Sequence, residues 1–545
     1  MSVAQEKALV FLLTVAPLVV VALWSLFATQ YSITPSKAIL LLYYLLYVYA
    51  VRWIADPYLR LLGFLHLPRP SDRSFIFGNT GPILQDPHGR QTFSTWIDTI
   101  PNSGIIYFSG YFYAFHNVLL TTPEALQDVL VSNSYDWEKS PSLRKLLART
   151  IGRGLVTVEG AEHKAQRKSV NPAFSGKHIR DLVPLFWSKS QDLAKVIADK
   201  LDVVCSEPTA GNEGKEGRTG IVEINQWASR ATLDIIGLAC VGRDFGSIYN
   251  SNDEFIQQYN KIVKTDNGGS ILSMVLDTLS IILPIHVARW MPFSSRIREA
   301  SDGRLVEVKR RDMETESEKQ IDILSVLIRS GQFSDDGLVD QLLTFLAAGH
   351  ETTSSALTWS CWLLAINSGV QDRLRAELRG YFAHSNDLTI TAASLENLPY
   401  LDAITNEQLR VMPPVPVSSR AAIRDTTILG QHIPKGSHVV FSPWAINRSK
   451  KLWGPDAEDF KPERWLSDGQ GGLGGSKSPL SLLTFLHGPR SCIGQAFTRA
   501  ELKCLLAAMV LKFKMHMADP SEVIEPAGLL TIKPKNGLRL RLTEL

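Results

Sequence analysis

The stretch "SLLTFLHGPRSCIGQAF", Ser481 to Phe497, decides how this chain is read. Cys492 stands between Gly488 and Gly494, with Arg490 two residues before it. The run that follows, "IGQAFTRAELKCLLAAMVLKF", has the pattern of an amphipathic helix. Cys492 therefore falls near a helix amino end, where the dipole and free N–H groups favour a thiolate. The two glycines allow backbone to approach a large flat ligand and aim N–H groups at the sulfur. Arg490 has the chemistry to pair with a carboxylate on that ligand. Taken alone, a buried cysteine is ordinarily a small apolar residue. An iron–sulfur cluster normally takes about four thiolates, and only Cys504 is nearby. A single thiolate with an adjacent arginine suits an axial ligand to haem instead.

Composition narrows the classes. Charged residues are 20% and apolar residues 45%, ordinary for a globular protein, and 545 residues can bury a large core. The net charge of +3, with no basic tract interleaved with aromatics and no zinc-finger spacing, gives no case for nucleic acid. The five cysteines, Cys205, Cys240, Cys361, Cys492 and Cys504, are odd in number and scattered. They predict no disulfide framework and place the main body in a reducing compartment.

The amino end differs. Ala8 to Ala28 carries no charge, and ~20 apolar residues span a bilayer of roughly 30 Å. The alternative, a cleaved signal peptide, meets a poor cleavage region with Leu26 where a small residue belongs. A second stretch, "AILLLYYLLYVYAV" (Ala38–Val51), is shorter and rich in interface-seeking tyrosines, so it either spans with tilt or lies half inserted. Arg52, Arg60, Arg69 and Arg73 follow it and put the large domain on the cytosolic side. We expect residues 1–64 to form a membrane anchor, with hydrophobic segments about 8–28 and 38–54, and residues 65–545 the catalytic domain. Pro68 and Pro70 punctuate the exit. The apolar stretch Gly268–Phe293 contains Asp277 and Pro284 and is a poor span. It reads as a buried helix pair or as a membrane-facing entrance for an apolar substrate.

Downstream the pattern is mostly helical. The longest helix is predicted from about Asp336 to Asn367, with Ser334 and Asp335 as caps. "SEPTAGNEGKEGRTG" (Ser206–Gly220) and "SDGQGGLGGSKS" (Ser467–Ser478) read as solvated loops, "HVVFS" (His438–Ser442) as a strand, and Asn536-Gly537 as a hairpin turn.

"FLHGPRSCIG" fits F-x-x-G-x-R-x-C-x-G, and on that match the chain resembles the cytochrome P-450 superfamily; the motif style, the two membrane stretches and "HKAQRKSVNPAF" resemble fungal members. The match is complete at Phe485, Gly488, Arg490, Cys492 and Gly494. The resemblance implies a mainly α fold with small β-sheets, haem as cofactor, and Cys492 as its axial thiolate. "AAGHETT" (Ala347–Thr353) resembles the family's oxygen-activating helix segment. Small Ala348 and Gly349 leave room above a haem, and Glu351 and Thr352 form an acid–alcohol pair for proton delivery. A zinc-helix reading of "HETTS" fails because Ser354 stands where HExxH needs histidine; His350 is left unassigned. Glu407 and Arg410 in "EQLR" have the spacing of a surface ion pair. The family reading joins them to Arg464 of "PERW" in a buried charge network. By the same resemblance Val415 and Val417 line the substrate pocket and Arg420 meets a haem propionate. In "EGAEHKAQRKSVNPAFS" His163 replaces the family's tryptophan, while Arg167 is kept. A histidine N–H can still reach a propionate.

The expected function is haem-thiolate monooxygenation: one atom of O2 enters a lipophilic substrate and the other becomes water. Only 51 residues follow Gly494 (545 − 494), too few for a flavin or nicotinamide domain. Electrons are expected from a separate NADPH-dependent flavoprotein reductase at the endoplasmic reticulum membrane. Lys164, Arg167 and Lys168 read equally as its docking patch or as a solvated helix face. The substrate leans towards a terpenoid or similar specialised metabolite. Two rivals use the same fold: a haem-thiolate isomerase or dehydratase, and a non-catalytic membrane haem protein. The Glu351-Thr352 pair argues against both.

Overall fold

The structure, a computed structural model, describes the chain from Gly63 onward, apart from residues 65, 73, 75–77, 87–88, 111–115, 206–215, 250–303, 316–321, 384–388, 467–471 and 529. Both expected membrane segments and the stretch Gly268–Phe293 thus lie outside the described residues. Among the described residues no helix is long and apolar enough to cross a membrane.

The chain forms two compact units. One runs up to Trp137 and takes in Ser419–Ser442. Its five-stranded sheet has the order Ile105–Ser109, His116–Leu120, His438–Phe441, Ser418–Ala422, Trp137–Glu138. "IIYFS" is buried at every position, so its strand needs cover on both faces. Phe108 packs on Phe93 and Trp96 of the helix Arg90–Thr99, and Tyr107 stacks on Phe64. "HVVF" forms the predicted strand and pairs in parallel with His116–Leu120, Val439 beside Val118. The hairpin Thr426–Ile433 turns at Leu429 and Gly430, both at positive φ (50° and 76°), the two-residue geometry that matches strand twist. The Asp128 carboxylate accepts the Leu429 N–H at 2.9 Å and so secures a non-glycine residue there.

The other unit, Glu138–Ser418 with Pro443–Leu545, is mainly helical. Seven helices matter for the site: α1 (Gly160–Val170), α2 (Gly176–Ala198), α3 (Ile224–Val241), α4 (Asp335–Ile366), α5 (Ser368–Phe382), α6 (Pro399–Val411) and α7 (Gln495–Lys512). Helix α4 is apolar around most of its girth, so it must be enclosed; it packs on α3 and α7, and α7 on α2. It starts where the sequence predicts. The Ser334 side chain accepts the Gly337 N–H, and Asp335 and Asp336 occupy the first turn, where negative charge meets the dipole. Gly349 serves packing: a Cβ there would stand 2.7 Å from Ile236 Cδ1 of α3. Its smallness admits α3.

A four-stranded antiparallel sheet, Phe513–Met517, Arg539–Glu544, Glu216–Glu223, Asp202–Cys205, closes this unit. The strand Glu216–Glu223 takes over the end of the expected loop Ser206–Gly220. The Asn536-Gly537 turn also differs from expectation. Gly537 has positive φ (77°), but the segments around it join different sheets. Lys533–Pro534 pairs with Pro526–Ala527, while Arg539–Glu544 pairs with Phe513–Met517 and Glu216–Glu223. The preceding segment is drawn onto α4 instead. The Ile532 carbonyl accepts from Ser355 Oγ at 2.6 Å and Trp359 Nε1 at 3.0 Å.

Candidate active site

The cysteine loop is built from backbone first. Leu486 and Gly488 take positive φ (54° and 74°) and fold the chain back, so that the Cys492 N–H donates to the Phe485 carbonyl at 2.8 Å. The loop then enters α7 at Gly494, the residue before Gln495. The Cys492 side chain reaches open surface. Protein atoms nevertheless crowd the sulfur closely enough that burial pushes the thiol's pKa up, against the Gly494 N–H and the Arg167 charge, which pull it down. The amide aims at the sulfur as expected. A cation bound to the sulfur would favour the thiolate. Among the described residues no three histidine, cysteine or carboxylate side chains gather into a metal site. Among the described residues, a metal at Cys492 would therefore have fewer than three such ligands.

A buried cluster of charge lies beside the loop. Arg167 of α1 donates from Nη1 to the Ser491 carbonyl at 2.7 Å and from Nε to Asn171 Oδ1 at 3.1 Å, tying α1 to the residue before the cysteine. Arg490 donates from Nε to Glu159 at 2.8 Å, with Nη2 2.7 Å from the same oxygen. Glu159 also takes the Lys139 N–H at 2.9 Å and its ammonium at 3.4 Å. Burial works to raise the Glu159 pKa, but Lys139 and Arg490 overcome it and hold the carboxyl below its ordinary range. The expectation for Arg490 had only a ligand carboxylate in view; this protein carboxylate was missed. His163 is buried, and burial with the Arg490 and Lys139 charges brings its pKa down to about 4. It is a neutral imidazole, able to donate one N–H. In the other unit Arg420 is buried, donates to the Ser419 carbonyl at 2.7 Å and lies over the Phe441 ring.

Glu407 and Arg410 of α6 are not a surface pair: both side chains are 0% exposed. Arg410 grips the Glu407 carboxylate through Nε and Nη2, each at 2.8 Å. It also donates to the carbonyls of Asn447 (2.7 Å), Ala457 (2.6 Å) and Asp459 (2.9 Å). Arg464 Nε, the Lys461 N–H and Trp465 Nε1 complete the carboxylate's shell, each at 2.9 Å. Such complete pairing is what allows charge at full burial. The network reaches the cysteine loop through Asn447. Its side chain donates to the Arg410 carbonyl at 3.1 Å and to Thr484 Oγ1 at 2.8 Å, and accepts the Leu483 N–H at 2.8 Å. Thr484 precedes Phe485. Nothing in "AINRS" distinguishes Asn447 as a link, because its partners come from two distant segments.

In the middle of buried α4, Ala348 is exposed and Ala347, Glu351 and Thr352 are half-buried, so one face of the helix opens there. The Thr352 hydroxyl donates to the Ala348 carbonyl at 2.7 Å. The Glu351 carboxylate turns the other way, accepting from Thr531 Oγ1 and Lys533 Nζ, each at 3.0 Å. His350 is buried with Nε2 2.7 Å from Ser229 Oγ; burial brings its pKa to about 4, which fits a helix-lining role. Val415 and Val417 are half-buried. A further residue escaped the sequence: Glu501 of α7 is fully buried, neither carboxyl oxygen makes a well-formed hydrogen bond, and Thr353 of α4 is its polar neighbour.

These features fit haem. The cysteine presents one exposed sulfur with an amide N–H on it, a cluster of cations surrounds the loop, and a buried helix bares a small residue beside an acid and an alcohol. A mainly helical unit carrying that constellation is a haem-thiolate protein. The cytochrome P450 family model matches residues 106–540, and the chain belongs to the cytochrome P450 family. It is 41% identical over 491 residues, 88% of each chain, to the cytochrome P450 monooxygenase sphH of Aspergillus fumigatus. It is 37% identical to the cytochrome P450 monooxygenase FSL4 of Gibberella zeae, covering 84% of this chain and 83% of that one. Against the cytochrome P450 monooxygenase FUM15 of Gibberella moniliformis the figures are 34%, 84% and 83%. The protein is a haem-thiolate monooxygenase, of a family that uses haem on a cysteine thiolate, O2, a redox-partner reductase and lipophilic substrates.

Proposed function

We propose that Cys492 is the axial thiolate, that Glu351 and Thr352 deliver protons, and that residues 65–545 form the catalytic domain behind a membrane anchor in residues 1–64. The observation that carries this reading is the Cys492 loop, with the Gly494 amide on its sulfur and its stem tied to the Glu407–Arg410 network. When bound, the haem supplies oxygen activation and atom transfer. The chain supplies the rest. Arg490, Arg167 and His163 offer donors to the carboxylates of the cofactor, with Phe485, Gly488 and Gly494 shaping the loop. The Thr352 hydroxyl, its proton held by the Ala348 carbonyl, keeps acceptor capacity for a water. Ala348, Val415 and Val417 border the substrate. The substrate itself is a lipophilic specialised metabolite, and the electron donor an NADPH-dependent flavoprotein at the endoplasmic reticulum. The uncharged run Ala8–Ala28 supports the membrane location.

The test is spectroscopic. Reduced wild-type protein under carbon monoxide shows the red-shifted Soret band of a thiolate complex, and Cys492→Ala loses it. Retention of that band in the variant removes Cys492 from the iron.

A further inference from the structure

The carboxylate assigned to proton delivery is already engaged on both oxygens. Glu351 Oε1 takes Lys533 Nζ at 3.0 Å, and Oε2 takes Thr531 Oγ1 at 3.0 Å. Neighbouring residues of a helix point about 100° apart, and here the divergence is complete. Thr352 bonds back to its own helix while Glu351 reaches to the segment before strand Lys533–Pro534. That segment is pinned on three further sides. The Ile532 carbonyl accepts from Ser355 and Trp359 of α4, and the Ile532 N–H donates to the Pro414 carbonyl at 2.9 Å. Lys533 is therefore held, not waving, and with side-chain exposures of 18% for Lys533 and 21% for Glu351 the pair lies at the boundary between buried helix and solvent.

We propose that Lys533 is a positioning residue for proton delivery: its ammonium, with the Thr531 hydroxyl, keeps the Glu351 carboxylate ionised and turned towards the C-terminal segment, on the solvent side of α4. The inference rests on the reading of Glu351 as the acid of the relay. An ionised carboxylate at the solvent boundary is a proton acceptor ready for the next turnover; a neutral one is not. The charges agree with this. Burial works to raise the Glu351 pKa, and Lys533, His350 and the Thr531 hydroxyl together bring it below the ordinary value. His350 is neutral above about pH 4, so at working pH Lys533 is the cation that matters.

The experiment uses the full chain loaded with haem and an NADPH-dependent reductase, and reads peroxide released per NADPH consumed from pH 5 to 9, which needs no substrate. Wild type, with its Glu351 pKa below the ordinary carboxylate value, should show a flat profile over that range. Lys533→Met should bring an acid-side midpoint into it, the acid shifting upward by roughly one unit or more on losing an opposite charge at this range. Lys533→Arg should restore the flat profile. Glu351→Gln should raise peroxide release at every pH, and Lys533→Met should add nothing to it. A second readout is the urea midpoint. Because the Glu351 pKa is depressed, the pair stabilises the fold above the ordinary carboxylate range and loses that effect on acidification. The gap between wild type and Lys533→Met should therefore close at low pH. If Glu351→Gln releases no extra peroxide, the acid reading of Glu351 falls and this proposal with it. If Glu351→Gln does raise peroxide but Lys533→Met leaves the profile in place, or acts undiminished on the Glu351→Gln background, Lys533 alone loses its role.

Discussion

Arg490 and Glu159 meet as a buried ion pair, 2.7–2.8 Å apart, although 331 residues of chain separate them. The arginine stands two residues before Cys492 and the carboxylate one residue before α1, so the contact fixes the cysteine loop to the helix that carries His163 and Arg167. Lys139 shares the same carboxylate. Two cations and one anion leave a net positive pocket, suited to the carboxylates of a haem.

Removing the anion should unbalance that pocket. In Glu159→Gln, Arg490 and Lys139 remain buried without their counter-charge, a change that typically costs about 3–5 kcal/mol. The folded pKa of Glu159 is depressed. Its contribution is therefore present above the ordinary carboxylate pKa and is lost as pH falls through the folded value. Urea titrations at pH 7 and pH 4 should show a large gap between wild type and variant at pH 7 and a smaller one at pH 4.

Arg410→Lys tests the network beneath the loop. A lysine keeps the charge but has no planar fork to grip Glu407 and reach three carbonyls together. Buried acceptors left unpaired cost ~1–3 kcal/mol each, so the variant should be severely destabilised. It should also fail to retain haem, because the Asn447 link to Leu483 and Thr484 loosens. The absorbance ratio of Soret band to protein band measures the loss of haem, and a urea titration the loss of stability. A ratio equal to wild type would separate the network from the loop.

Thr352→Ala removes the hydroxyl but little volume, so haem content should stay near wild type. Positioned proton transfer is worth ~10²-fold or more, and the peroxide released per NADPH should rise steeply. An unchanged ratio would move the relay away from Thr352.

The sequence makes the cysteine loop, the long helix and the Glu407–Arg410 spacing legible for one reason: each is a local pattern, although that spacing alone reads as a surface pair and Arg464 joins it only through the family resemblance. Ser334, Asp335 and Asp336 mark the start of α4 because capping is a matter of consecutive residues. What it hides is partnership across distance. Glu159 gives no sign that it will meet Arg490, nor Asn447 that it will bridge α6 to Thr484. The Asn536-Gly537 turn misleads for the same reason. The turn forms locally, but Ser355 and Trp359 draw the preceding residues onto α4, and no hairpin rule contains that contact. Nor does Gly349 show in the sequence that its neighbour is Ile236, a residue of another helix.

Glu501 gives the last prediction and the opposite sign. It lies wholly inside the protein between α7 and α4, and burial pushes its pKa well above the ordinary carboxylate value, with only the Thr353 hydroxyl drawing it back. The folded protein therefore keeps this proton to a higher pH than the unfolded chain does. A group with a raised folded pKa is at its most favourable below the unfolded value, and stability is lost as pH rises from there towards the folded one. Each pH unit in that window costs about 1.4 kcal/mol. Glu501→Gln has nearly the same shape and no proton to lose. The variant should match wild type near pH 4, and its urea midpoint should exceed the wild-type midpoint increasingly towards pH 8. A gap that does not widen with pH would mean that Glu501 is ionised inside the fold, with a counter-charge beside it.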